Sequence, residues 1–146
     1  MNICKTIKIL FIFSIITAFP SILRSEVLVF GGTGELGSEI VYDLLEANKQ
    51  VTVFARPTSK KTRLKGLDVK YLTGDVLNEE DVKNAITSKK FKVIIDALAR
   101  DRNIDADFYE ISMNYISKWA RETGIEQVIL HGSVGAGMSR KIYPPE

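Results

Sequence analysis

Beyond residue 25 the chain alternates short β-branched runs with longer stretches whose apolar positions recur every three or four residues. Residues 26–30 (EVLVF) are almost continuously apolar, the mark of a strand covered on both faces. Residues 34–48 set Leu36, Ile40, Val41, Leu44 and Leu45 on one helical stripe, with Asn48 as its cap. A second strand follows at 51–55 (VTVFA), then a polar stretch, 57–65, leading to a short helix or turn at Gly66. The third strand, Val69–Thr73, is less apolar and belongs nearer a sheet edge. Asn78 caps a helix whose first turn is acidic (Glu79, Glu80, Asp81), with Lys89 and Lys90 at its negative end. A fourth strand covers 92–96 (KVIID). A helix over 104–123 shows Phe108, Ile111, Tyr115 and Trp119 on one face and stops at Gly124. A fifth strand covers 127–131 (QVILH). Strand–helix alternation with apolar strands predicts an α/β fold: a doubly wound parallel sheet in three layers, with strand order 3-2-1-4-5.

Composition narrows the function. The chain has 146 residues, 20 Lys+Arg against 18 Asp+Glu, one Cys and one His. A formal charge of +2 leaves no strongly basic face, so nucleic acid is not an expected partner. One Cys and one His exclude an intramolecular disulfide framework and a zinc site built from several such ligands, and no metal site is expected. The small basic excess belongs to residues 1–25, which carry Lys5, Lys8 and Arg24 and no acid. There, two lysines precede an apolar run at 9–19 that Pro20 breaks, the order of a secretory signal. The uncharged stretch 9–23 is short of the roughly 20 apolar residues that span a bilayer, so a one-pass anchor is the second reading. Either reading sends the remainder, 26–146, out of the cytosol, with membrane contact only through an uncleaved leader. A misassigned start site would leave it cytoplasmic.

The strongest chemical signal is Val29-Phe30-Gly31-Gly32-Thr33-Gly34-Glu35-Leu36-Gly37, which holds GxGxxG at Gly32, Gly34 and Gly37 and GxxGxxG at Gly31, Gly34 and Gly37. It leaves a strand and opens a helix, the context that gives such a string meaning. An early glycine turns the chain off the strand, Gly34 leaves room for a pyrophosphate, and Gly37 lets the helix press on the sheet. Free amides at the helix start then face the anion. About 20 residues further on, an NAD site would carry an acid for the ribose 2′-hydroxyl. This chain has Arg56, whose guanidinium can pair with a 2′-phosphate through two parallel hydrogen bonds. NADP(H) is therefore the expected cofactor, ahead of NAD(H), and the competing reading of Arg56 is a solvated loop arginine.

These segments, together with LTGDVLNEEDVKNAI, VIIDALA and GIEQVILHGSVG, resemble the short-chain dehydrogenase/reductase superfamily, in its atypical and extended (NmrA-like, epimerase-like) branches. The resemblance covers residues 26 to about 137 and implies a Rossmann domain. It implies that Thr33, Glu35 and Leu36 complete the phosphate loop, that Asp75 and Val76 meet the adenine, and that Ala97, Leu98 and Ala99 line the dinucleotide channel. Asp75 also reads as a helix-leading acid in a turn. In that superfamily a Ser ends strand five and a Tyr-x-x-x-Lys follows. Ser133 matches the serine. Tyr143 is the downstream tyrosine, without a lysine four residues on, and a phenol near its ordinary pKa of about 10 is a poor base at neutral pH. Ser133 as a loop serine and Tyr143 as a surface tyrosine stay open beside the catalytic roles. His131, the lone histidine, reads first as part of the strand environment and second as a proton-transfer group. The superfamily adds a sixth strand and a substrate region, whereas this sequence stops just beyond strand five: a fragment, or a reduced protein. The resemblance implies hydride exchange between NADP(H) and a small carbonyl or alcohol substrate; the alternative is a non-catalytic NADP(H)-sensing or interaction module.

Overall fold

In a computed structural model of the chain, residues 26–99 and 107–131 are described. The expected leader, 1–25, lies outside the described residues, and so do Ser133 and Tyr143. The elements run β1 (Glu26–Phe30), α1 (Glu35–Glu46), β2 (Gln50–Ala55), a 3-10 turn (Thr62–Leu64), β3 (Val69–Thr73), α2 (Glu79–Thr87), β4 (Val93–Asp96), α3 (Phe108–Glu122) and β5 (Gln127–Leu130). The five strands form one sheet in the order β3-β2-β1-β4-β5, with every neighbouring pair parallel. This is the Rossmann arrangement that the apolar strands predict.

Strand β1 lies at the centre, and its alternation builds both sides of the core. Leu28 and Phe30 enter a cluster with Phe54, Val82, Ile86, Ile94, Phe108 and Ile116 beneath α2 and α3. Val27 and Val29 enter the opposite cluster with Val41, Val51, Val53 and Leu64, on the side of α1. Each such side chain, withdrawn from water, contributes about 1.5–3 kcal/mol. A strand buried on both faces cannot alternate with polar residues, which explains the run EVLVF.

The local chemistry ends the elements in ways the sequence pattern only partly shows. Asn78 caps α2 as expected, its side-chain oxygen accepting from the amides of Glu80 (3.0 Å) and Asp81 (3.3 Å). Asn48 is not the cap of α1. It is the residue after it, left-handed at φ 57°, and the Asn48 and Lys49 amides return to the carbonyls of Leu45 and Leu44. Lys89 leaves the end of α2 to meet Glu26 at 2.6 Å.

Helix α3 buries a different stripe from the expected one. Phe108, Ser112, Ile116 and Ala120 face the core, while Tyr115 and Trp119 flank it. The small Ser112 and Ala120 let the helix approach the sheet, with the Ser112 hydroxyl donating to the Tyr109 carbonyl. β3 sits at one edge, as expected. β5 forms the other edge of the described sheet, with Ile129 and Leu130 exposed at 42% and 46%.

Candidate functional site

At the carboxyl ends of the strands, β1 turns into α1 through the glycine string, and each glycine there meets a distinct constraint. Gly31 has φ +76°, and a Cβ on it would lie 2.5 Å from the Ala97 carbonyl oxygen on the neighbouring strand. A Cβ on Gly37 would overlap the Gly31 carbonyl, so this glycine lets the first turn of α1 close onto the turn that precedes it. Gly34 is different. It is exposed, and the nearest atom to a Cβ there is the Gly31 oxygen at 3.3 Å, so its outer side is open.

Gly34 is also the N-cap of α1 and offers no side chain to the helix start. The Ser38 amide is satisfied by the Gly34 carbonyl at 2.9 Å. Among the described residues the amides of Glu35, Leu36 and Gly37 have no protein acceptor. Three donors and the positive end of a helix dipole thus point out beside a glycine with free space, a cradle whose chemistry suits a phosphate.

This cradle opens into a cleft of about 770 Å³. Gly31, Thr33, Gly34, Glu35 and Leu36 line it from the turn, and Glu39 from α1. The end of β2 brings Arg56 and Ser59, joined by a turn in which the Ser59 amide donates to the Arg56 carbonyl (3.0 Å). Arg56 is exposed and makes no ion pair among the described residues. From the end of β3 come Asp75, Val76 and Leu77. Asp75 is occupied in its own turn: one carboxylate oxygen accepts from the Leu77 amide (3.0 Å), and its amide donates to Asp81 (2.9 Å). The turn reading of Asp75 is therefore realised, and the residue borders the cleft as well. From the end of β4 come Ala97, Leu98 and Ala99, and from β5 and α3 come His131 and Phe108.

Of the thirteen residues expected around a dinucleotide, Gly32 and Gly37 sit behind the cleft wall and the other eleven line it. Gly32 faces Val53, where a Cβ would meet the valine methyls at 2.9 Å. Seven lining residues were not singled out for the cofactor: Glu39, Phe54, Ala55, Ser59, Leu77, Phe108 and His131. For Ser59 a signal existed, since it lies in the polar turn directly after Arg56. Phe54 and Phe108 carried none, because apolar residues on predicted elements read as core.

Below this end of the cleft, Asp96 closes β4 and is 6% exposed. Burial pushes its carboxyl above the ordinary aspartate value, against the pull of the Leu98 amide, which donates at 2.9 Å, and of the nearby His131 charge. The Asp96 carbonyl accepts from the His131 amide (3.0 Å), extending the β4–β5 ladder one bond beyond the strand. A smaller hollow of about 410 Å³ lies at the opposite ends of the strands, beside Asn48, Gln50 and Asp68, remote from these groups.

The comparisons with known proteins agree with the site. A family model described as NAD(P)H-binding matches residues 31–145. The chain is 28% identical over 113 residues to sterol demethylase protein B of Methylococcus capsulatus (strain ATCC 33009 / NCIMB 11132 / Bath), covering 75% of this chain and 34% of that protein. It is 32% identical over 88 residues to photosystem II assembly factor Ycf39 of Cyanophora paradoxa, covering 60% of this chain and 27% of that protein. The chain thus spans about a third of the length of the curated relatives it matches. Among solved structures it is similar in fold to ChuY, an anaerobilin reductase from Escherichia coli O157:H7, with a TM-score of 0.68 and 24% identity over 82% of this chain and 56% of that one. With a strand order, a glycine turn and a family model in accord, the chain belongs to the NAD(P)H-binding family, within the atypical branches of the short-chain dehydrogenase/reductase superfamily.

Proposed function

We propose that the cleft holds NADP(H) and that the chain is the cofactor domain of an oxidoreductase acting on a small carbonyl or alcohol. The diphosphate takes the amides of Glu35, Leu36 and Gly37, with Thr33 beside them. The adenosine half lies over β2 and β3, between Arg56, Ser59, Asp75 and Val76. The other half runs past Ala97, Leu98 and Ala99. When bound, the nicotinamide supplies two-electron transfer; the protein binds it, orients it and shields one face.

The observation that supports the choice of NADP(H) is Arg56: exposed on the cleft directly after β2, and unpaired among the described residues. A charge-assisted contact of this kind is worth about 1.5–3 kcal/mol, tenfold or more in affinity. The test is titration of the full chain with NADPH and NADH, repeated with Arg56→Asp. The expected result is a loss of at least roughly tenfold for NADPH with NADH changed little. Equal losses for both dinucleotides would remove the 2′-phosphate assignment. Binding of NADPH without turnover of any small carbonyl would select the sensing-module alternative instead.

A further inference from the structure

The cleft is chemically lopsided. The charged groups on its wall are Glu35 and Glu39 on α1, Arg56 after β2 and Asp75 after β3, all on the β1–β2–β3 side. On the β4–β5 side the wall is Ala97, Leu98, Ala99 and Phe108, with one titratable side chain among the described residues, His131. Beneath it lies the buried carboxyl of Asp96, whose backbone carbonyl fixes the His131 amide at 3.0 Å. A dinucleotide with its 2′-phosphate at Arg56 and its diphosphate at the β1 turn has to extend its other half over β4 and β5, because β2 and β4 flank β1 on opposite sides. That half is the redox-active one. Among the described residues its titratable neighbour is the His131 imidazole.

We propose that His131 is the catalytic proton donor and acceptor at the redox end of the cleft, acting on the oxygen of a small carbonyl ligand. The inference rests on the dinucleotide reading above. In the reducing direction the carbonyl carbon would receive a hydride, its new C–H bond forming as the reduced dinucleotide's C–H bond breaks and the C=O π pair moves to the oxygen. The carbonyl oxygen then forms an O–H bond as an imidazolium N–H bond of His131 breaks. The ring is left neutral and recovers its proton from water, to which it is exposed. Oxidation of an alcohol runs the same proton back to the neutral ring. Histidine suits this exchange because its ordinary pKa of about 6.5 lies near neutral pH. The charged groups that face it are Asp96 below and Glu35, Glu39, Arg56 and Asp75 across the cleft.

His131 is the chain's single histidine, so its imidazole gives one isolated set of proton resonances. The experiment titrates the full chain with NADPH, following binding by nicotinamide fluorescence and the imidazole by NMR. It then measures turnover of small aldehydes and ketones, benzaldehyde among them, against pH for the parent and for His131→Gln. The inference expects the imidazole resonance to shift on NADPH binding. The variant should bind NADPH within about twofold of the parent while its turnover falls roughly 10²–10⁴-fold. The parent's decline in turnover as the pH is raised should vanish in the variant. A resonance that stays fixed while fluorescence reports binding overturns the role of His131 and leaves the nucleotide reading intact. So does a variant with the parent's turnover and pH profile, or a parent that binds NADPH and turns over none of the panel. Absence of NADPH binding removes the nucleotide reading itself, and this inference with it.

Discussion

Single residues at the strand ends carry the specificity of the account. Gly31 and Gly37 are forced by geometry, one by a left-handed φ and the approach of the Ala97 carbonyl, the other by the turn packed against it. Both were legible in the sequence, because a glycine string between a strand and a helix has few other causes. Asp96 was not, since its side chain reads as the polar end of an apolar strand. Its burial raises its affinity for a proton in the folded chain above that in the unfolded one. Folding is therefore favoured by acid, and that contribution is lost as pH rises from the ordinary aspartate value of 3.8 through the higher folded value. At neutral pH the folded chain bears the cost of a buried charge. Asp96→Asn keeps an acceptor for the Leu98 amide and carries no charge. Thermal melts should place the variant above the parent at neutral pH, with the gap closing as the solution is acidified; a gap unchanged with pH would refute the burial argument.

At the scale of elements, order and type were readable while faces and endings were less so. The five strands and the order β3-β2-β1-β4-β5 follow from apolar runs separated by helical spacing. The end of α1 was misplaced by one residue because asparagine serves both as a cap and as the left-handed residue beyond it; hydrogen bonds from Asn48 and Lys49 decide for the second. The face of α3 was misread for a packing reason. Bulky Tyr115 and Trp119 dominate a hydrophobicity pattern, yet the stripe closest to the sheet uses Ser112 and Ala120, whose size permits contact. α2 starts at its expected cap, although no base lies in its last turn and Lys89 pairs with Glu26 instead; that cap supports a direct prediction. Asn78→Ala strips an acceptor from two amides, Glu80 and Asp81, and should lower stability by about 1 kcal/mol in urea unfolding with an unchanged slope. A loss below a few tenths of a kcal/mol would show that water replaces the cap at no cost.

Over the whole molecule, charge is segregated along the chain. Residues 26–48 hold five acids (Glu26, Glu35, Glu39, Asp43, Glu46) and no base, while 49–70 hold seven bases (Lys49, Arg56, Lys60, Lys61, Arg63, Lys65, Lys70) and one acid, Asp68. Of these bases Arg56 lines the cleft, whereas Lys49 and Lys70 line the hollow at the opposite ends of the strands. Cleft membership across five strand ends is beyond sequence spacing: Phe54 and Phe108 are far apart in the chain and meet only in the folded sheet. The most direct measurement for the whole account is an amide-resolved NMR titration of the full chain with NADPH. The account predicts that the largest shifts fall on the amides of Glu35, Leu36 and Gly37, with Arg56 and Ala97 following. Saturable binding that leaves those three amides unmoved, or no binding at millimolar NADPH, would contradict it.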